Sequence, residues 1–196
     1  PIDSSDPGAP IVAVDDGEEI LFSSVGPSDY RARSGVNTGG ANGILWVEPV
    51  EHRSETIVVQ NTGKTKGGSL RIEIGEVEKK AVAPLLRGRD IKRWRAVPSQ
   101  HVMFMYDRRD PKRAIPEVEA SQRFPKAFTY LQQFETELRG RKEYHRWGAV
   151  GPFFEMYRIG PYTFARNKVV WQHTGFRGRM NVAVIHDEED PIVVPD

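Results

Sequence analysis

An α+β fold, β-rich and organised as a single domain with one long amphipathic helix and several short strands, follows from three features of the 196-residue sequence. Short β-branched or alternating runs recur between Gly and Pro punctuation. Only one stretch, residues 125–139, carries strong helical spacing. No internal repeat or heptad array interrupts this pattern, and the length suits one domain with flanking segments.

Along the chain, residues 1–29 mix Pro, Gly, Asp and Ser around one apolar run, Ile11 to Val14, and read as an acidic linker or entry segment. Residues 44–47 (ILWV) form a predicted strand. Residues 56–60 are β-branched, 61–64 carry a turn signal, and 69–74 alternate with period two, which together predict a hairpin with one wet face. Residues 102–106 are nearly continuous in apolar side chains, as in a strand buried on both faces. In 125–139, Phe128, Leu131, Phe134 and Leu138 continue the spacing begun by Phe124, Pro125 sits where a first-turn proline is tolerated, and Gly140 supplies a stop. A second helix is expected near Ser121 or Ile91. Residues 153–157, 162–164, 168–171 and 181–185 read as four short strands, and 187–196 as an acidic tail.

Composition removes several classes of function. With no cysteine there is no disulfide framework, thiolate zinc site or cysteine nucleophile. No apolar run approaches the ~18 residues of a membrane span, and no signal segment opens the sequence. Thr62-Gly63-Lys64-Thr65 resembles the end of a phosphate-binding loop, but Val58 stands where that loop needs glycine, and Gly67-Gly68 leads into a strand. The five histidines are scattered without an i, i+4 pair, and no Gly-x-Ser-x-Gly elbow occurs. No catalytic constellation emerges.

The net charge of +1 hides an asymmetry. Residues 1–30 hold seven acidic groups and no Lys or Arg, whereas 85–146 hold 15 basic against 8 acidic residues. Such a block suits a polyanionic partner, or else a solvated face with counter-charges. Three segments stand out. Residues 30–43 (YRARSGVNTGGANG) combine Arg31, Arg33, Thr38 and Asn42 with glycines that permit close backbone approach to phosphate. Residues 84–95 (PLLRGRDIKRWR) interleave Arg87, Arg89, Lys92, Arg93 and Arg95 with Ile91 and Trp94. If helical from an Asp90 N-cap, Ile91 and Trp94 would anchor the core and the cations would face elsewhere. Residues 153–171 are rich in aromatics, which suit a core more often than a stacking platform.

The order RARSGVNTGGAN, PLLRGRDIKRW, an aromatic helix ending LRGRK, then YTFARNKVVW resembles the TaqI-like C-terminal target-recognition domain of adenine-specific DNA methyltransferases, also found in type IIG restriction–modification enzymes. The resemblance spans residues 30–186 and implies a bacterial, cytoplasmic domain that grips double-stranded DNA, while an upstream methyltransferase core flips the target adenine. On that resemblance Arg31, Arg33, Thr38, Asn42, Arg87, Arg89, Arg93 and Lys168 lie at or near DNA. The family's Asp/Asn-Pro-Pro-aromatic signature is missing, as is the glycine motif of the core. S-adenosylmethionine is therefore expected for that core and no cofactor for this portion, which reads as the recognition part without its enzyme. The alternative is a protein-interaction or scaffold module of a defence complex, using 153–171 as its contact surface.

Overall fold

The computed structural model describes residues 31–65, 68–107, 109–146, 149–172, 181–187 and 191–196. The chain divides into two units, Pro1–Arg33 and Ser34–Asp196. The expected entry segment, 1–29, lies outside the described residues. Among those described the fold is α+β, with antiparallel sheets and five α-helical segments.

A single helical turn, α1 (Asn42–Leu45), leads into β1 (Trp46–His52). The strand expected at 44–47 therefore starts only at Trp46. Ile44 and Leu45 are buried from the helical turn instead, and a Cβ on Gly43 would meet the Lys64 backbone at 2.7 Å. β2 (Thr56–Asn61) is a strand as its β-branched run predicts, with Ile57, Val59 and Asn61 buried on one face. It pairs with β1 across a register shift at Pro49/Glu51, a bulge that accommodates a proline lacking an N–H. Two short strands, β3 (Lys64–Thr65) and β4 (Gly68–Ser69), form an excursion before β5 (Ile74–Glu78) pairs with β2. The strand expected at 69–74 is thus displaced to 74–78. The buried amide of Asn61 substitutes for a ladder there, donating to the Gly43 and Arg71 carbonyls (3.0 and 3.1 Å) and accepting from the Glu73 N–H (2.8 Å).

β6 (Val82–Leu85) and the small hairpin of β7 (Ile91–Lys92) and β8 (Arg95–Ala96) follow. β9 (Gln100–Met103) then completes a five-stranded sheet ordered β5-β2-β1-β9-β6. The apolar run 102–106 is divided: Met103 ends β9, and Tyr106 belongs to β10 (Tyr106–Asp107), which pairs with β11 (Asp110–Ala114).

The helices are α2 (Glu117–Arg123), α3 (Pro125–Gln132), α4 (Glu135–Arg139) and α5 (Lys142–Arg146). The long helix predicted over 125–139 is present as two, α3 and α4. At the break, Arg71 donates to the Gln133 carbonyl and lies 5.1 Å over the Phe134 ring, so the carbonyl released from the helix is satisfied and Phe134 stays fully buried. The other end of α3 is tied to the sheet. The Glu78 carboxylate of β5 accepts from the Lys126 and Ala127 N–H groups at 3.0 Å each, capping a helix that has no local side-chain cap. Gly75 lets the Tyr130 ring lie against β5, since a Cβ there would approach Tyr130 Cδ2 at 2.5 Å.

Residues 153–157 are not a strand. Phe153, Phe154 and Met156 are buried in the main core, and 161–164 form a short 3₁₀ turn. In the first of these stretches a side chain bonds the backbone in place of a neighbouring strand: the Met156 N–H donates to Tyr106 Oη (2.6 Å), and that hydroxyl donates to the Met156 carbonyl (3.1 Å). The last pair, β12 (Asn167–Trp171) and β13 (Val182–His186), is present as expected. It contributes to a second apolar cluster of Leu86, Ile91, Val170, Ala183 and Ile185. The acidic tail expected over 187–196 is part of the fold over its described residues. Asp187 and Val193 are buried, Leu86 N–H donates to the Val193 carbonyl (2.9 Å), and Asp196 N–H donates to the Val36 carbonyl (3.0 Å). Among the described residues no helix is long and apolar enough to cross a membrane.

Arg141 joins three of these regions. Its buried guanidinium donates to the carbonyls of Leu138 (2.7 Å), Thr38 (2.7 Å), Glu155 (2.8 Å) and Phe153 (2.6 Å). Burial pushes its pKa down, yet an arginine keeps its charge. Arg141→Met should lower the unfolding free energy by about 3–5 kcal/mol, because charge-assisted bonds to buried carbonyls are lost together. Arg141→Lys should recover only part of this, since an ammonium cannot span four acceptors. Urea unfolding checks both, and a Lys variant as stable as wild type would refute the role.

Glu76 stitches β2, β5 and α3 together by accepting from Thr56 Oγ1 and Lys126 Nζ at 2.7 Å each, with Arg53 Nη1 at 2.8 Å. Hydrogen bonds from Lys126 and Thr56, helped by the nearby cations, lower its pKa to about 2. A carboxyl depressed on folding contributes stability above its unfolded pKa, and that contribution fades as the pH falls from about 4.5 toward 2. The stability difference between wild type and Glu76→Gln should therefore be full at neutral pH and vanish toward pH 2 in pH-dependent urea melts.

Candidate nucleic-acid interface

The sheet order places β1, with α1 at its head, beside β9, and β6 leads into a 3₁₀ turn, Gly88–Asp90, at the end of that sheet. Between them lies a cleft of about 380 Å³, whose walls include Asn42, Trp46, Lys64, Arg87, Arg89 and Gln100. Asp90 shapes the Arg-bearing wall: its Oδ2 accepts from the Arg87 N–H (2.9 Å), while Asp90 N–H donates to the Arg87 carbonyl (2.8 Å). The reciprocal bonds close a tight turn and take the place of the helix that sequence predicted from Asp90.

Arg87 is half-buried, with its guanidinium 4.6 Å over the Trp46 ring and Nη1 donating to Gln100 Oε1 (3.0 Å). Gln100 Nε2 in turn donates to Glu48 Oε1 (2.8 Å). The cation is thus oriented by an aromatic face and a neutral amide, with the carboxylate one residue removed. Burial and the positive field of Arg89 push the Arg87 pKa down. Asp90 and Glu48, the latter also lining the cleft, offset part of that field, and Lys64 adds a third cation to the same walls. Arg89 is exposed, with Nε 3.8 Å from Asp90 Oδ1.

The eight predicted residues fall into distinct groups. Asn42, Arg87 and Arg89 meet in the cleft. Thr38 is buried behind Asn42, donating through Oγ1 to Asn42 Oδ1 (2.5 Å) and accepting from Arg141 at its carbonyl. It positions Asn42 and does not itself offer a surface to DNA. The Asn42 oxygen keeps a second lone pair and its amide keeps two donors. Arg93 is exposed on the β7–β8 hairpin, 5.7 Å over the Trp94 ring. Trp94, expected in the core, is 74% exposed, whereas Ile91 is buried as expected. Arg31 and Arg33 are exposed and belong to the Pro1–Arg33 unit.

Lys168 is engaged within the fold. Its Nζ is ion-paired with Asp187 Oδ2, and the two side chains are 12% and 0% exposed. Asp187 Oδ2 also accepts from the Ile192 N–H (3.1 Å), so the pair fastens the chain end to β12. A buried carboxylate needs a cation more than a distant phosphate does.

Sequence reasoning missed Trp46, Gln100 and Lys64. A glutamine at the head of an apolar strand was the available signal for Gln100, and alternation placed Trp46 opposite the buried Val47. Among the described residues no group of three or more His, Asp or Glu is arranged to hold a metal ion. No protein-family model matches the chain, and no curated protein matches it significantly.

Lys168→Ala should destabilise the fold by about 3–5 kcal/mol by leaving Asp187 buried without its cation. Lys168→Arg keeps a cation at the same place and should restore most of the stability in urea melts. An alanine variant with the wild-type unfolding midpoint would refute this structural role.

Proposed function

We propose that this chain is a double-stranded DNA recognition module, part of an adenine-specific methyltransferase or restriction–modification enzyme of the TaqI-like kind, and that it contributes no catalysis of its own. The observation that carries this reading is the convergence of Asn42, Lys64, Arg87 and Arg89, from three separate stretches of sequence, on one cleft. Arg89 is suited to take a phosphate, because neutralising the backbone releases condensed counterions. Arg87, held flat on Trp46, has the rigid fork suited to a guanine edge or a phosphate, and Asn42 the amide suited to an adenine edge. S-adenosylmethionine would belong to the methyltransferase core, whose motifs this sequence does not contain.

An interaction module is the second reading. In the contact surface expected for it at 153–171, Phe153, Phe154 and Met156 are buried in the core, which leaves the later part of that stretch as the accessible portion. What favours it is the β12–β13 pair, where Val169 and Trp171 of that stretch and Val184 beside them are exposed.

Titration of random-sequence duplex DNA at low and moderate salt separates the two. Wild type should bind with steep salt dependence. Arg89→Ala should weaken binding to every sequence and reduce the salt slope by about one, while leaving the unfolding midpoint unchanged. Arg87→Ala and Arg89→Ala variants that bind as wild type, with the same slope, would remove the cleft from DNA recognition.

A further inference from the structure

Hairpin β7–β8 has a two-residue loop, since Ile91 pairs with Ala96 and Lys92 with Arg95, leaving Arg93 and Trp94 at the tip. Trp94 sits at φ 65°, in the position that a β-turn ordinarily gives to glycine or asparagine. A bulky aromatic in the left-handed region is strained. The strain does not serve packing, because the indole is 74% exposed, whereas Ile91 in the same hairpin is buried in the second apolar cluster. The conformation is held by main chain: Trp94 N–H donates to the Val182 carbonyl of β13 (2.9 Å). The hairpin base is held as well, since Gln172 Nε2 donates to the carbonyls of Gly88 (3.0 Å) and Ile91 (3.3 Å). The tip is therefore a braced projection that carries a flat apolar side chain. Lys92, Arg93 and Arg95 are all exposed around it.

We infer that Trp94 is a base-stacking wedge, inserted at a base step of duplex DNA while Lys92, Arg93 and Arg95 engage the flanking phosphates. This inference rests on the DNA-recognition reading and adds to it a contact outside the cleft. Aromatic faces stack on any base, and apolar wedges at base steps kink duplexes so that more protein surface meets the backbone. A single duplex is long enough to span both places. Trp94 follows Arg89 by five residues, so the tip lies at most about 18 Å from the cleft lip, roughly half of the ~34–36 Å turn of B-DNA.

The test uses the 196-residue chain and duplexes carrying 2-aminopurine, whose fluorescence rises on unstacking. Wild type should raise the signal on binding. Trp94→Ala should abolish the rise and weaken binding roughly 5- to 150-fold, while Trp94→Phe keeps most of both. Trp94→Gly separates stacking from support: glycine accepts the positive φ, so the unfolding midpoint should hold or rise while DNA binding falls as in Trp94→Ala.

Trp94→Ala with wild-type affinity and a wild-type fluorescence rise would overturn the inference and assign the exposed indole to a protein partner. Binding that falls only in step with a lowered unfolding midpoint would overturn it by making Trp94 a support residue. Failure of wild type to bind any duplex at low salt would overturn the DNA-recognition reading itself, and this inference with it. Binding that depends on Arg89 but not on Trp94 would remove this inference alone.

Discussion

The Arg141 guanidinium is the fixed point of the main core. It donates to four backbone carbonyls, those of residues 38, 138, 153 and 155. Each of those stretches is irregular or ending where it meets the arginine, so each has carbonyls that no helix or ladder satisfies. One planar donor answers all of them and dictates how the stretches meet. The consequence reaches the cleft in two bonds. Arg141 fixes the Thr38 carbonyl, and the Thr38 hydroxyl fixes the Asn42 amide. A packing residue about a hundred positions away in sequence thereby sets the orientation of a polar group on the candidate surface.

The cleft uses the opposite strategy for its own cations. Arg53, Lys126, Arg139 and Lys168 are all bonded directly to carboxylates, and so contribute to the fold. Arg87 instead bonds Gln100 and rests on Trp46, with Asp90 and Glu48 acting on it by charge alone, while Arg89 is only loosely held near Asp90. Aromatic and amide partners orient a guanidinium without neutralising it. This distribution, and not the total basic charge of 85–146, distinguishes a candidate binding surface from solvated or structural arginines.

The strands with clean alternation or strong β-branching, β2 and β12–β13, were legible in sequence because each buries one face by its own period. The α3–α4 stretch was legible as helical, but its break was not. That break depends on Arg71 arriving from a loop 62 residues earlier to satisfy the Gln133 carbonyl. The same kind of reason displaced β5, where the Asn61 side chain substitutes for ladder bonds. Local periodicity cannot register a side chain that takes over a backbone partner from afar. In the candidate site, Asn42, Arg87 and Arg89 were singled out in sequence by the resemblance and by the Gly- and Arg-rich segments that hold them. The burial of Lys168 beside Asp187 was not legible, because a lysine in an exposed-looking strand carries no mark of the carboxylate that pairs with it.

Trp94 shows how this limit can also be informative. Sequence spacing assigned its indole to the core beside Ile91, on the ordinary expectation that a large apolar residue is buried. The chain instead turns at Arg93 and Trp94, exposes the indole, and accepts a left-handed backbone to do so. Local propensity, burial and backbone comfort all disfavour that arrangement, and neither apolar cluster includes the indole. A local departure of this kind from propensity, burial and backbone comfort is the sort of feature that marks functional sites, and it is the basis of the inference drawn for Trp94. Under the proposed function, the exposed cations around the indole suit the base stack of DNA between its phosphates.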